Sequence, residues 1–454
     1  MHIHFMGIGG SGVSGLAIAA KSFGYTVSGC DLKESSFLKM VRGQGIDCKQ
    51  GHDASHLEGV DVLVRSSAVP LDNPEVAAAF EKGIKTVTRG EFLAMLLENK
   101  HKIGVGGSHG KTSTTWMIYT ILKAAGVNPS IYAGGKSAGL TNVSAGEPYV
   151  IELDESDGSI FKMKPDSLVI TNLEFEHADF YKTPDEMLKS FERYLISDRP
   201  ANLIIGRGYD LGERLFEIFS PLSFPTRDEI RSGEGFENND CRNFYIRNGE
   251  LFFLSGENEI YVGRVTEPAH ILQNRSAALL AASEYLAKTG RFLPEINPEF
   301  WKNVPKVDRR FQIVGTYRGM PLVDDYAHHP SEVNALIEQA ELEFKNFCLV
   351  FQPHRISRFT AFYDKFRDVL RSVGILIVLP VYSAGEKCEG RTSKELYEDL
   401  KNGDNFVFYA ENIDKAVEII RENEARLHAS AIVSAGAGDV NTVLTKLMSG
   451  EEAK

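Results

Sequence analysis

Six consecutive residues, Gly107-Ser108-His109-Gly110-Lys111-Thr112, have the types and order of a phosphate-binding turn. Ile103 and Val105 before them read as a buried strand. After them, Thr112 to Ala125 reads as a helix stopped by Gly126, with Ile118, Ile121, Leu122 and Ala125 at helical spacing. A glycine turn between strand and helix lets backbone N–H groups close around phosphate oxygens at the helix N-terminus. Lys111 adds a point charge that can follow a transferring phosphoryl group, and the Thr112 hydroxyl can ligate Mg²⁺. The usual pattern has a glycine five positions before Gly110, where this chain has Val105. The loop is therefore a shortened form with the same chemistry.

Acidic groups follow two later strand ends, which is where ligands sit in α/β sheets. Glu152, Asp154, Glu155 and Asp157 come directly after the apolar run Tyr149–Ile151, and Glu174, Glu176 and His177 come after Ser167–Thr171. A carboxylate and an imidazole near a triphosphate are metal ligands, because the metal offsets crowded oxygen charge. Glu152 and His177 are the candidates beside Thr112, with Glu155 the alternative carboxylate that spacing does not separate from Glu152. Further on stand Asp324-Asp325-Tyr326-Ala327-His328-His329-Pro330 and Gln352-Pro353-His354-Arg355-Ile356-Ser357-Arg358. Arg355 and Arg358, three apart at an expected helix start, would share a face and could clamp a carboxylate.

A second glycine turn opens the chain. Gly7, Gly9 and Gly12 fit G-x-G-x-x-G between strand Ile3–Met6 and a helix reaching about Phe23, with Gly10 and Ser11 inside the turn. Asp31 ends the next strand, 19 residues beyond Gly12, where a carboxylate would reach a ribose hydroxyl. A dinucleotide site needs two mononucleotide halves, yet the other phosphate loop arrives near residue 104. One half suits a single nucleotide carrying a diphosphate, with Ser66 and Ser67, after strand Val60–Val64, placed to meet it.

These groups need several domains to position them. At 454 residues the chain exceeds one core, and at roughly 100–200 residues per domain about three are expected. The expected class is α/β: residues 1–98 a Rossmann-like domain, 99–296 a central phosphate-loop domain on a mostly parallel sheet, and 297–454 a second Rossmann-like domain. Residues 225–260 read as a less regular excursion. The last segment alternates strand and helix plainly, as in Phe347–Gln352, Phe359–Leu370, Ile375–Leu379 and Lys394–Leu400. A net charge of −12 argues against a nucleic-acid binder, and no apolar run reaches the length of a membrane span. Five scattered cysteines without a C-x-x-C pair suggest reduced, structural thiols in a cytoplasmic protein.

Taken in order, these motifs resemble the ATP-dependent Mur ligases of peptidoglycan precursor synthesis. The likeness rests on G-I-G-G-S-G at 7–12, S-S-A-V at 66–69, G-S-H-G-K-T at 107–112, E-L-D-E-S-D at 152–157 and N-L-E-F-E-H at 172–177. It continues through D-R-R-F at 308–311, D-D-Y-A-H-H-P at 324–330 and P-H-R-x-x-R at 353–358. Within the family it is most similar to the members that couple L-alanine to the lactyl carboxylate of UDP-N-acetylmuramate. The sister members that attach a tripeptide in cell-wall recycling are the alternative; Gly9, Gly10 and Tyr326 favour the alanine reaction.

The resemblance implies three small-molecule substrates, UDP-N-acetylmuramate, ATP and L-alanine, and Mg²⁺ (or Mn²⁺) as the metal, in a monomer or weak dimer. It places Gly7, Gly9, Gly10, Ser11, Gly12, Asp31, Ser66 and Ser67 at the UDP moiety. Gly107 to Ser113 would hold ATP, with Lys111 on the γ-phosphate and Thr112, Glu152 and His177 on metal. His270 and Asn274 would lie on the adenine side, Arg310 would face ATP and Asp325 would bind ribose. Tyr326, His328, Arg355 and Arg358 would position L-alanine and the nascent amide. Ile271 stands where the family often has Asn, Phe175-Glu176 where it has Pro-Asp, and Ser108 and Ser113 where it has Thr.

Overall fold

The computed structural model describes the chain except residues 67–68, 134–145, 157, 177–179, 233–242, 404 and 450–454. Two compact units emerge, one formed by Met1–Glu176 with Phe180–Pro305 and the other from Lys306 onward.

The first unit opens with strands β1 (His2–Met6), β2 (Thr26–Asp31), β3 (Asp47–Gln50), β4 (Val62–Arg65) and β5 (Lys85–Thr88). All pair in parallel, in the order β3-β2-β1-β4-β5. The order reverses at β1, so the C-terminal end of β1 is the switch point at which α/β sheets bind ligands. Alternation divides β1 between two faces: Ile3 and Phe5 enter the larger core, whereas Met6 packs with Cys30, Leu63 and Val76 on the other side.

A second parallel sheet follows, from β6 (Lys102–Gly106), β7 (Ser130–Tyr132), β8 (Tyr149–Glu152), β9 (Ser167–Ile170) and β10 (Asn202–Ile205), in the order β10-β9-β6-β8-β7. Its strands are apolar runs with no polar alternation, as burial on both faces requires. Lys102, the first residue of β6, ties down the segment that leads into the second sheet from the helix Arg89–Leu96. Its buried ammonium donates to the carbonyls of Leu97 (3.1 Å), Glu98 (3.3 Å) and Lys100 (2.6 Å). From the second sheet, the Tyr132 hydroxyl also donates to the Gly12 carbonyl at 2.6 Å.

The stretch read as irregular is more ordered than expected. It holds the helix Arg227–Ser232 and an antiparallel meander of β11 (Phe244–Arg247), β12 (Glu250–Ser255) and β13 (Asn258–Arg264). Asn248 and Gly249 both have positive φ, 54° and 73°, the twist a tight hairpin turn needs. The break expected at 296–297 lies at 305–306. The helix Pro298–Lys302 stays with the first unit because Trp301 donates to the Tyr261 carbonyl at 3.1 Å and lies 5.0 Å beneath the Arg275 guanidinium.

The second unit is a six-stranded sheet of β14 (Gln312–Tyr317), β15 (Met320–Asp325), β16 (Phe347–Phe351), β17 (Ile375–Val378), β18 (Phe406–Tyr409) and β19 (Ala431–Ala435). Its order is β14-β15-β19-β16-β17-β18, parallel except for the hairpin β14–β15. Among the described residues no helix is long and apolar enough to cross a membrane.

Candidate active site

The phosphate loop joins β6 to the helix Lys111–Ala124. Gly107 and Gly110 have φ of 118° and 79°, which side chains on Cβ rarely tolerate. A Cβ on Gly107 would also lie 2.5 Å from Thr171 Oγ1, and one on Gly110 would strike the Asn274 carboxamide. Gly110 caps the helix without a side-chain acceptor and the first turn has no acidic residue, so its N–H groups face outward with positive character.

The loop after β9 holds this turn in shape. Asn172 Oδ1 accepts the His109 N–H at 2.9 Å, and the Asn172 carbonyl accepts the Ser108 N–H at 3.1 Å. Thr171 Oγ1 and Asn172 Nδ2 donate to the His109 carbonyl at 2.6 and 3.0 Å. Ser108 Oγ exchanges hydrogen bonds with the Glu174 backbone, and His109 Nε2 lies 3.1 Å from Glu174 Oε2. Sequence reading had not assigned Thr171, Asn172 or Glu174 to the site; their position after a strand end was the available signal.

Two carboxylates left undistinguished by spacing have different neighbours. Thr112 Oγ1 donates to Glu152 Oε2 at 2.9 Å, which puts two hard oxygen donors side by side. Glu155, fully buried, instead takes the Lys111 ammonium at 3.0 Å. Lys111 Nζ also donates to the Gly107 carbonyl at 2.7 Å. Burial opposes the Lys111 charge, but Glu155, Asp154 and Glu152 outweigh it and hold the ammonium above its usual range. Burial likewise opposes the Asp154 carboxylate, yet Lys111 and the hydrogen bonds from Ser156 keep it below the usual carboxylate range. The donor set fits a divalent cation at Thr112 and Glu152 beside a cationic lysine. His177, expected as a further metal ligand, lies outside the described residues, as does Ser67.

His270 and Asn274 stand one turn apart in the helix Ala269–Lys288, and Asn274 abuts Gly110. At the first glycine turn, Gly9 N–H donates to Asp31 Oδ2 at 2.9 Å and Lys33 N–H to Asp31 Oδ1 at 3.1 Å. Asp31, expected on a ribose, thus braces the glycine turn through Oδ2 and the start of its own following loop through Oδ1. Gly7, with φ of 74°, sits so close to Ser66 that a Cβ would come within 2.9 Å of the serine Cβ. Gly10 N–H closes the turn on the Gly7 carbonyl at 3.0 Å.

In the second unit Asp325, Tyr326, His328 and Arg310 gather at the C-terminal end of β15. Asp325 accepts the backbone N–H groups of Phe311 and Ala327, each at 2.7 Å. Burial pushes its carboxyl up to about 6 despite the Arg310 charge and those bonds. Arg310 lies 5.7 Å over the Tyr326 ring and 3.6 Å from Glu332. The Tyr326, His328 and His354 rings form a chain, with centroids 5.2 and 5.9 Å apart, and Tyr382 stacks on His354 at 5.6 Å. Burial first, helped by the Arg358 guanidinium, lowers His328 to about 3 and His354 to about 4. Both imidazoles are therefore neutral near pH 7.

Arg355 departs from the expected shared helical face. It precedes the helix Ile356–Ala361 at φ 66°, so helical spacing does not relate it to Arg358. Its N–H donates to the Tyr382 carbonyl at 2.8 Å, which holds that backbone. Tyr382 was not singled out from the sequence; it follows β17 as the motif residues follow β15 and β16. The C-terminal ends of these strands border a cleft of about 490 Å³ lined by Gln352, Tyr382, Ser383, Glu411, Asn412 and Asp439 among others.

Three family models match consecutive parts of the chain: the Mur ligase family catalytic domain over residues 2–101, the Mur ligase middle domain over 105–205 and the Mur ligase glutamate ligase domain over 309–438. A UDP-N-acetylmuramate–L-alanine ligase of Carboxydothermus hydrogenoformans is 37% identical, covering 98% of this chain and 96% of that protein. Its counterpart in Desulfosudis oleivorans is 33% identical, covering 99% and 98%. Among solved structures, the UDP-N-acetylmuramate–alanine ligase of Thermotoga maritima matches with TM-score 0.75 at 23% identity, covering 100% and 99%. A murein peptide ligase of Psychrobacter arcticus matches with TM-score 0.67 at 18% identity, covering 99% and 98%. These two structural likenesses show the three-domain α/β fold.

Proposed function

The chain belongs to the Mur ligase family, and on that premise we infer that it joins L-alanine to the carboxylate of UDP-N-acetylmuramate at the expense of ATP. The observation that carries the chemistry is the pairing of Thr112 with Glu152 at 2.9 Å, beside a Lys111 held cationic at a glycine turn. A carboxylate resists amines until it carries a leaving group. The γ-phosphoryl group is transferred to it, giving an acyl phosphate and ADP; the amine then attacks, and a tetrahedral oxyanion collapses with loss of phosphate.

Each residue has a distinct part in this reading. The N–H groups of Gly107 to Thr112 cradle the phosphate chain, and Lys111 exchanges its contact with Glu155 for the transferring group. One well-placed donor of this kind is worth roughly 10²–10³ in rate. Thr112 and Glu152 would hold Mg²⁺, or Mn²⁺ in its place, which would supply positive charge to offset that on the phosphate oxygens. Asn274 and His270 line the nucleoside side. Gly7 to Gly12, Ser66 and Ser67 receive the UDP diphosphate, with Asp31 fixing the turn. In the second unit, Tyr326 and neutral His328 position the incoming amine and the nascent amide, and Arg355 and Arg358 hold the amino acid's carboxylate. Arg310 and Asp325 serve ATP from that unit.

Phosphate release measured with purified protein tests the reading. Release should require UDP-N-acetylmuramate, L-alanine and Mg·ATP together, and ¹⁸O in the lactyl carboxylate should appear in the phosphate. No release with all three present overturns the ligase reading; release with a tripeptide but not with L-alanine assigns the recycling reaction instead.

A further inference from the structure

Away from both phosphate turns, four metal-ligating side chains converge beneath the first sheet. His4 comes from β1, Cys30 from β2, His56 from the single turn Ala54–Leu57 and Glu75 from the first turn of the helix Pro74–Glu81. One ligand atom from each lies within 4.8 Å of all the others. We propose that His4, Cys30, His56 and Glu75 form a binding site for one Zn²⁺ ion, separate from the ATP-linked cation and structural in role.

Spacing supports an ion at the centre. Tetrahedral Zn²⁺ with Zn–N and Zn–O near 2.0 Å and Zn–S near 2.3 Å sets ligand–ligand edges of roughly 3.3–3.7 Å. Glu75 Oε2 lies 3.4 Å from both His56 Nδ1 and Cys30 Sγ, and its partner oxygen Oε1 lies 3.0 Å from His4 Nε2 and 3.7 Å from Cys30 Sγ. A shift of a few tenths of an ångström completes the figure.

Hydrogen bonding supports it independently. His4 is 1% exposed and Glu75 0%, and the only partner facing His4 Nε2 and His56 Nδ1 among the described residues is the shared Glu75 carboxylate, to which neither has hydrogen-bond geometry. Groups of this kind are costly unless something satisfies them. Neighbouring groups already fix the ligands: His4 Nδ1 lies 2.8 Å from Ser28 Oγ, and the Glu75 carboxylate accepts the Asp53 N–H at 3.0 Å. Such outer partners orient imidazole and carboxylate toward a metal. Two imidazoles, one thiolate and one carboxylate form a borderline-soft set that selects Zn²⁺ or Co²⁺ over Mg²⁺, and four protein ligands leave no open position for catalysis.

Binding has a defined proton balance. Burial and the neighbouring Glu75 carboxylate hold the Cys30 thiol well above its usual range, so without metal it carries its proton. Forming the Zn–S bond releases that proton to solvent, one per ion when both imidazoles are neutral, and affinity rises with pH. The ion would also steady the first glycine turn, since the Cys30 carbonyl accepts the N–H groups of Gly7 (2.9 Å) and Ile8 (3.1 Å).

The test uses metal-free, full-length protein in excess Mg²⁺, titrated with Co²⁺. Wild type should take up one equivalent with tetrahedral visible bands and a thiolate-to-cobalt charge-transfer band, both bleached by one equivalent of Zn²⁺. Cys30→Ser, checked for native circular dichroism, should lose the charge-transfer band and bind more than about tenfold more weakly. His56→Asn, at the rim, should keep the band with weakened affinity. A wild type without the band, or a band unchanged in Cys30→Ser and so arising from another thiol, overturns the proposal.

Discussion

Replacing His328 by Asn should flatten the acid limb of the second unit's stability curve. The imidazole sits at 18% side-chain exposure, and burial with the Arg358 charge lowers it from 6.5 to about 3. Because the folded value lies below the unfolded one, the unfolded chain binds an extra proton between those limits. The contribution of the neutral ring is intact above about pH 6.5 and is lost as pH falls toward 3. Each pH unit in that window costs about 1.4 kcal/mol, so from pH 7 to pH 5 the wild type should lose roughly 2 kcal/mol more than His328→Asn. Asp325 works with the opposite sign: raised to about 6, it stabilises most at low pH and loses that share as pH rises through 6. It is present in both proteins and cancels in the difference. Tryptophan fluorescence cannot follow this unit, because Trp116 and Trp301 both belong to the first. Hydrogen exchange of β16 and β19, read by mass spectrometry and corrected for intrinsic pH dependence, can. Parallel curves for the two proteins would show that the ring titrates normally and would refute the argument.

The two carboxylates near Lys111 should separate experimentally. Glu155→Gln removes the counter-charge of a buried ammonium, which typically costs about 3–5 kcal/mol, whereas Glu152→Gln should leave thermal stability nearly unchanged and raise the Mg²⁺ concentration for half-maximal rate at least tenfold. Calorimetry and a metal titration with the effects exchanged would reverse the assignments. Gly110→Ala should abolish ATP-dependent turnover, through positive φ and collision with Asn274. Adding Asn274→Gly should relieve the collision but not the backbone strain, so full recovery in the double variant, judged by steady-state ATP kinetics, would show that φ at 110 does not matter.

Much of this molecule could be read from residue order because each motif sits at a strand end that hydrophobic runs announce. Ile103–Val105, Tyr149–Ile151 and Phe347–Phe351 are apolar enough to be strands and short enough not to be helices. What escaped was whatever depends on which strands become neighbours. Thr171 and Asn172 brace the phosphate turn only because β9 pairs with β6, and the choice between Glu152 and Glu155 beside Thr112 turns on how β8 flanks β6 on the other side. Arg355 escaped for a local reason: helical spacing assumed a helical φ, and the residue has 66°. The Asn248-Gly249 turn was legible and passed over, because a polar, glycine-rich stretch resembles a loop until its flanking alternation is counted.

The ammonium of Lys102 has a mechanical consequence. Unravelling the segment 97–101 that joins the helix Arg89–Leu96 to β6 would strand three carbonyls and a cation away from any partner, at about 1–3 kcal/mol for each buried group. With Tyr132 tied to Gly12 as a second rivet, the first glycine turn and the phosphate turn belong to one stiff frame. On the proposed ligase reading, the gap between the acid and the phosphoryl group would then be fixed at folding, like jaws machined from one block, and would not await the arrival of either molecule.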